Sequence, residues 1–119
     1  MKLAKYQARA MLTRAYPITS TWTSGPGVVQ MAFVGPALEL ASEAGEVAGE
    51  FKKAYRKDGG QITKARQAAI KDELGDALWA LAACADSVGL SLDDIAKANL
   101  AKLKGRAERG TIHADSGER

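Results

Sequence analysis

The chain has 119 residues, 46% apolar and 26% charged, and a net charge of +3. That is about one domain's worth of ordinary globular composition, which excludes a wholly disordered chain and argues against a two-domain machine. The pI near 9.1 falls short of a nucleic-acid arm or polybasic anchor. Twenty-three Ala against 16 β-branched residues favour helix over strand. The longest apolar run, Ala77 to Ala85, is far below the roughly 20 residues that span a bilayer. No signal-peptide pattern opens the sequence, so a cytoplasmic protein without a membrane partner is expected. The single cysteine, Cys84, excludes an intrachain disulfide and a cysteine metal cluster, and reads as core filler.

In chain order, apolar or aromatic residues at Leu3, Tyr6, Ala10 and Leu12 predict a first helix to about Tyr16, closed by Pro17. Residues Pro17 to Gly35, rich in Ser, Thr, Gly and Pro, predict a long loop of the kind that forms lids. Pro36 fits the first position of a second helix, whose apolar face is Leu40, Ala44, Val47 and Phe51 and whose end is near Tyr55. Lys57-Asp58-Gly59-Gly60 supplies a turn, and Thr63 caps a third helix with its apolar face on Ile70, Leu74, Ala77, Leu81, Cys84 or Ala85, and Val88. Ser91-Leu92-Asp93-Asp94 has the form of a capping box opening a fourth helix to about Arg106. The expected organisation is one domain over residues 1–109 and a flexible tail over 110–119, which lacks periodicity.

The carboxylates carry the chemistry. Glu39, Glu43, Glu46 and Glu50 are spaced four, three and four apart and so share one stripe of the second helix, with no Lys or Arg among them. Glu73 and Asp76 repeat the three-residue spacing on the third helix. Each acid of the pairs 43/46 and 73/76 precedes a predicted core residue by one step, about 100° of rotation, which puts it beside the buried stripe. The midpoints of 43 with 76 and of 46 with 73 both fall between Gly59 and Gly60. An antiparallel hairpin turning there brings the four carboxylates to one height, with ~4.5 Å of axial rise within each pair. Such a cluster repels itself without a cation. With no His or Cys nearby, its ligand chemistry suits Mg²⁺, or Mn²⁺, rather than zinc or copper.

The stretches Leu38 to Val47 and Lys71 to Trp79 resemble the two acidic motifs of the all-α nucleoside triphosphate pyrophosphohydrolase superfamily, in its MazG-like group. Asn99 to Leu103 resembles the family's last helix. The resemblance implies an all-α, four-helix antiparallel bundle-like fold with Glu43, Glu46, Glu73 and Asp76 as catalytic Mg²⁺ ligands. It also implies hydrolysis of a nucleoside triphosphate to a monophosphate and pyrophosphate by metal-activated water attack at the α phosphorus, in a homodimer or homotetramer. Asn99, Lys102 and Arg106 lie on one face of the fourth helix and are candidate phosphate-binding residues. Trp79 stands beside Ala80, the position where some relatives stack an aromatic on the base, and is a candidate for substrate binding or for a core anchor; Trp22 in the long loop is a candidate base-stacking residue. Glu39 and Glu50 extend the acidic stripe and are candidates to polarise water or hold a further metal. The competing expectation is a non-catalytic helical module that binds a metal or a partner; a nucleic-acid partner is not expected, given the acidic second helix.

Overall fold

The computed structural model describes residues 1–14, 21–23, 28–30 and 34–110. The protein is all-α. Four helices are present among the described residues: α1 (Leu3–Met11), α2 (Val34–Lys57), α3 (Lys64–Ser87) and α4 (Leu92–Arg109). Two three-residue strands, β1 (Thr21–Thr23) and β2 (Val28–Gln30), pair antiparallel between α1 and α2, with Trp22 opposite Val29.

The strands correct the expectation of an unstructured loop before α2. Thr, Trp and Val favour extended backbone, and Ser24-Gly25-Pro26-Gly27 between them are turn formers, a hairpin signal that the segment's Gly and Pro content obscured. α1 also stops earlier than Tyr16. After Met11 the backbone tightens to i→i−3 bonds at Leu12, Thr13 and Arg14, and the Thr13 hydroxyl donates to the Ala10 carbonyl at 2.7 Å. α2 begins two residues before Pro36, which lies buried in its first turn.

α2 and α3, each 24 residues, form an antiparallel hairpin and share the largest interface of the molecule. The turn depends on Gly59 and Gly60, both with positive φ (64° and 76°), a region costly to residues with a Cβ. The Asp58 and Gly60 amides both donate to the Ala54 carbonyl and close α2. Thr63 caps α3 as expected, its hydroxyl accepting from the Arg66 amide at 3.1 Å. The Ser91 hydroxyl accepts from the Asp93 and Asp94 amides at the start of α4. Gly110 ends α4 in the left-handed conformation; the predicted tail beyond it lies outside the described residues.

α1 packs on α3 and α4. Small side chains allow the close approach: Ala80, Ala82, Ala83 and Ala85 are all buried, and Leu3, Tyr6, Met11 and Ile95 pack around Ala82, Ala85 and Leu92. Buried Gln7 fastens this corner. Its amide donates to the Leu90 carbonyl at 3.0 Å and the Ala82 carbonyl at 3.5 Å, and its carbonyl accepts from the Leu92 amide at 3.0 Å. One side chain thereby satisfies backbone groups at the end of α3 and the start of α4, where leaving each buried group unmade costs about 1–3 kcal/mol. Arg14 adds an ion pair to Asp86. Among the described residues no helix is long and apolar enough to cross a membrane.

Candidate active site

The seam of the hairpin is made of residues at alternating four- and three-residue intervals. On α2 the buried and half-buried stripe is Pro36, Leu40, Glu43, Val47, Glu50 and Ala54; on α3 it is Arg66, Ile70, Glu73, Ala77, Ala80 and Cys84. Two glutamates thus stand within the α2 stripe itself. This corrects part of the expected apolar faces: Leu40 and Val47 on α2 and Ile70, Ala77 and Cys84 on α3 keep inward places, but Ala44 and Phe51 on α2, Leu74 and Leu81 on α3 and Val88 just past its end are exposed. The physical reason is a rotation of each helix by about half a residue's turn, ~50°, which brings carboxylates into the seam and turns part of the apolar face outward.

The rotation concentrates negative charge. Carboxylate oxygens of Glu43, Glu73 and Asp76 all lie within 4.8 Å of one another. Burial, then the charges of Asp76, Glu73, Glu39 and Glu46, pushes the Glu43 carboxyl above its ordinary value. Burial, then Glu46, Asp76 and Glu50, raises that of Glu73, with Lys53 opposing. Like charges held this close favour the protonated form unless a cation joins them. Three carboxylates with open surroundings fit a hard divalent ion, which takes oxygen ligands and keeps several waters.

Glu46, the fourth predicted ligand, is exposed and outside this trio, one step along the helix from half-buried Val47. Its charge is nonetheless felt at both Glu43 and Glu73. Glu39 and Glu43 line, with Gly35, Leu38 and Ser42, a concavity of about 370 Å³ beside the trio. That volume is at the lower end for small-molecule sites.

Glu50, considered for polarising water or holding a further metal, is ion-paired. Its two oxygens accept from Lys53 Nζ at 3.0 Å and an Arg66 guanidinium nitrogen at 2.7 Å, which holds its carboxyl below the ordinary range. Trp79 donates its indole N–H to the Ala10 carbonyl at 3.2 Å and the Thr13 hydroxyl at 2.9 Å, anchoring α1 to α3. Asn99 and Lys102 line a separate concavity of about 340 Å³ with Ile95 and Ala98; none of the acidic trio takes part in it. Arg106 is half-buried on the same helix. The side chain of Trp22 lies outside the described residues.

Sequence reasoning missed Tyr6. It packs against Ala82, Ala85 and Leu92, and its hydroxyl is pushed above its usual range by burial and then by the charge of Asp76. No spacing pattern links two residues 70 apart.

A model of the MazG nucleotide pyrophosphohydrolase domain matches residues 36–111, from the first turn of α2 through the end of α4. The chain belongs to the MazG family. The matched domain is a nucleotide pyrophosphohydrolase domain, of a kind that usually employs a divalent metal, and its span includes Glu43, Glu46, Glu73 and Asp76. The chain is also similar to the Gene 37 protein of Mycobacterium phage L5, at 34% identity over 116 residues covering 96% of each chain. No solved structure matches.

Proposed function

We propose that this protein hydrolyses a nucleoside triphosphate to the monophosphate and pyrophosphate, dependent on Mg²⁺ or Mn²⁺ held by Glu43, Glu46, Glu73 and Asp76. The observation that carries this reading is the acidic trio in the α2–α3 seam, with oxygens within 4.8 Å, inside a MazG domain. A bound Mg²⁺ supplies charge neutralisation for the phosphates and acidifies water. The chain's own part is to fix the carboxylates on two packed helices, so that little reorganisation is needed when substrate arrives. Glu46 completes the set from the solvent side. Asn99, Lys102 and Arg106 offer amide and cationic donors on one face of α4 that suit phosphate oxygens. A nucleotide substrate and a single free thiol fit the cytoplasm.

The bond broken, on this reading, joins the α phosphorus to the bridging oxygen. Hydrolysis in ¹⁸O-labelled water is expected to place the label in the nucleoside monophosphate. Label confined to pyrophosphate would mean attack at the β phosphorus. Labelled orthophosphate with a diphosphate product would overturn the reaction class.

We further propose a homodimer or homotetramer. Leu38, Phe51 and Tyr55 on α2 and Leu74, Leu81 and Val88 on α3 are exposed on the hairpin, Tyr55 at 79%. The Cα radius of gyration, 18.0 Å, exceeds the about 13–14 Å of a compact domain of this length, so one chain leaves faces that a second copy can cover. Light scattering at micromolar concentration is expected to give at least twice the 12.6 kDa chain mass. A monomeric mass with full activity would refute this.

A further inference from the structure

The acidic stripe of α2 is longer than the proposed metal site. Glu50 stands in the seam two turns beyond Glu43 and one turn beyond exposed Glu46, and is only 7% exposed. A buried carboxylate so near other carboxylates is a ready additional ligand unless something else satisfies it. Here a built-in cation does so. Arg66, on the first turns of α3, donates to Glu50 at 2.7 Å and grips both oxygens of Asp58 at 2.8 and 3.3 Å. The guanidinium is therefore fixed from two sides: Asp58, just past the end of α2, anchors it, and its remaining nitrogen holds Glu50. Lys53 takes the other Glu50 oxygen from the more exposed side. A planar guanidinium can make these contacts together, which a lysine ammonium on a flexible stem cannot reproduce.

We propose that Arg66 is a positioning residue for the metal site: it holds Glu50 as an ion-paired spacer, so that the turn end of the seam adds no further ligand to Glu43, Glu46, Glu73 and Asp76. The proposal rests on the assignment of those four carboxylates as the metal site. A further divalent ion at Glu50 would have to displace the guanidinium or sit against it, at a Coulombic cost that grows in a buried seam. Glu73 is near enough for the Glu50 charge to act on it, so a freed Glu50 would have carboxylate company for such an ion.

The test is titration of Mn²⁺ alone, followed by electron paramagnetic resonance and calorimetry, into the full chain and three variants. Glu50→Gln is expected to bind the wild-type number of ions with affinity within about twofold. Arg66→Met is expected to gain one ion per chain, and Arg66→Met with Glu50→Gln to return to the wild-type number. Loss of an ion, or weakening by about 10-fold or more, the scale seen when groups that support a metal site are removed, would show Glu50 to be a ligand and overturn the proposal. So would a folded Arg66→Met with unchanged stoichiometry, since a merely structural pair shifts the melting temperature and not the ion count. If Arg66→Met does not fold, the Glu50→Gln titration decides alone. Glu73→Gln serves as the control on the underlying site. Wild-type Mn²⁺ binding in that variant would reject the four-carboxylate site itself, an outcome distinct from failure of the Arg66 role.

Discussion

Glu73→Gln is expected to lower turnover by at least about a thousandfold, equivalent to about 4 kcal/mol of transition-state stabilisation, while the metal-free protein unfolds at the same or a higher temperature. The glutamine keeps the shape of the side chain but removes one charge from a trio whose oxygens lie within 4.8 Å of one another. Metal affinity falls because a ligand charge is gone. Stability does not fall with it, because the same charge repels Glu46, Asp76 and Glu50 in the metal-free state. A structural glutamate would show the opposite pairing, with lost stability and modest loss of rate. Pyrophosphate release under saturating Mg²⁺, with thermal unfolding in chelator, measures both quantities. Wild-type activity in the variant would remove Glu73 from the site.

The topology was legible because its signals are local. Thr63 and Ser91 announce helix starts through side chains that accept from nearby amides, and Gly59-Gly60 supplies the positive φ the hairpin needs. The symmetric placement of the two acidic pairs about that turn predicted that four carboxylates converge, and Glu43, Glu73 and Asp76 do so while Glu46 stays outside the trio. Rotation of each helix was less legible, for a physical reason. Periodicity assigns apolar residues inward, but this seam reserves inward positions for Glu43, Glu50 and Glu73, and Phe51 and Leu74 are left outside. A pattern that treats charge as solvent-seeking misplaces a helix whose acids are its working face.

Other features lay beyond any local pattern. Gln7 reads as a polar residue on an amphipathic helix, yet its role depends on carbonyls and an amide 75 to 85 residues away. The pairing of Glu50 with Arg66 is likewise set by the hairpin, which brings the end of α2 against the start of α3. Trp79 illustrates the same point from the other side: its sequence position left substrate contact and core anchor both open, and only the docking of α1 gives its N–H the partners Ala10 and Thr13.

The metal-free protein is expected to be most stable at acidic pH, near 4.5 to 5, and Mg²⁺ to remove that preference. Glu43 and Glu73 have carboxyls raised above the ordinary 4.5 in the folded state, so between that value and their folded values the native protein binds more protons than the unfolded chain. Burial of these charges, and then their mutual repulsion, therefore weakens the fold at neutral pH and is relieved as pH falls through the folded values. The relief is complete near 4.5. Glu50 and Asp58 act in the opposite sense: ion pairs with Arg66, aided at Glu50 by Lys53, lower their carboxyls, and the stability they give is lost as pH falls from their ordinary values of 4.5 and 3.8 through the folded ones. The two trends enclose a maximum. Mg²⁺ at 100 times its dissociation constant adds about 2.7 kcal/mol by mass action, roughly 10 °C for a domain of this size. That gain is expected at pH 7 to 8 and to vanish toward pH 4.5, where protons compete for the same oxygens. Thermal unfolding from pH 4 to 8, in chelator and in Mg²⁺, measures the effect. A metal-free profile that rises steadily to neutral pH would mean that the trio does not repel as its geometry requires, and an equal Mg²⁺ shift at every pH would place the ion elsewhere on the chain.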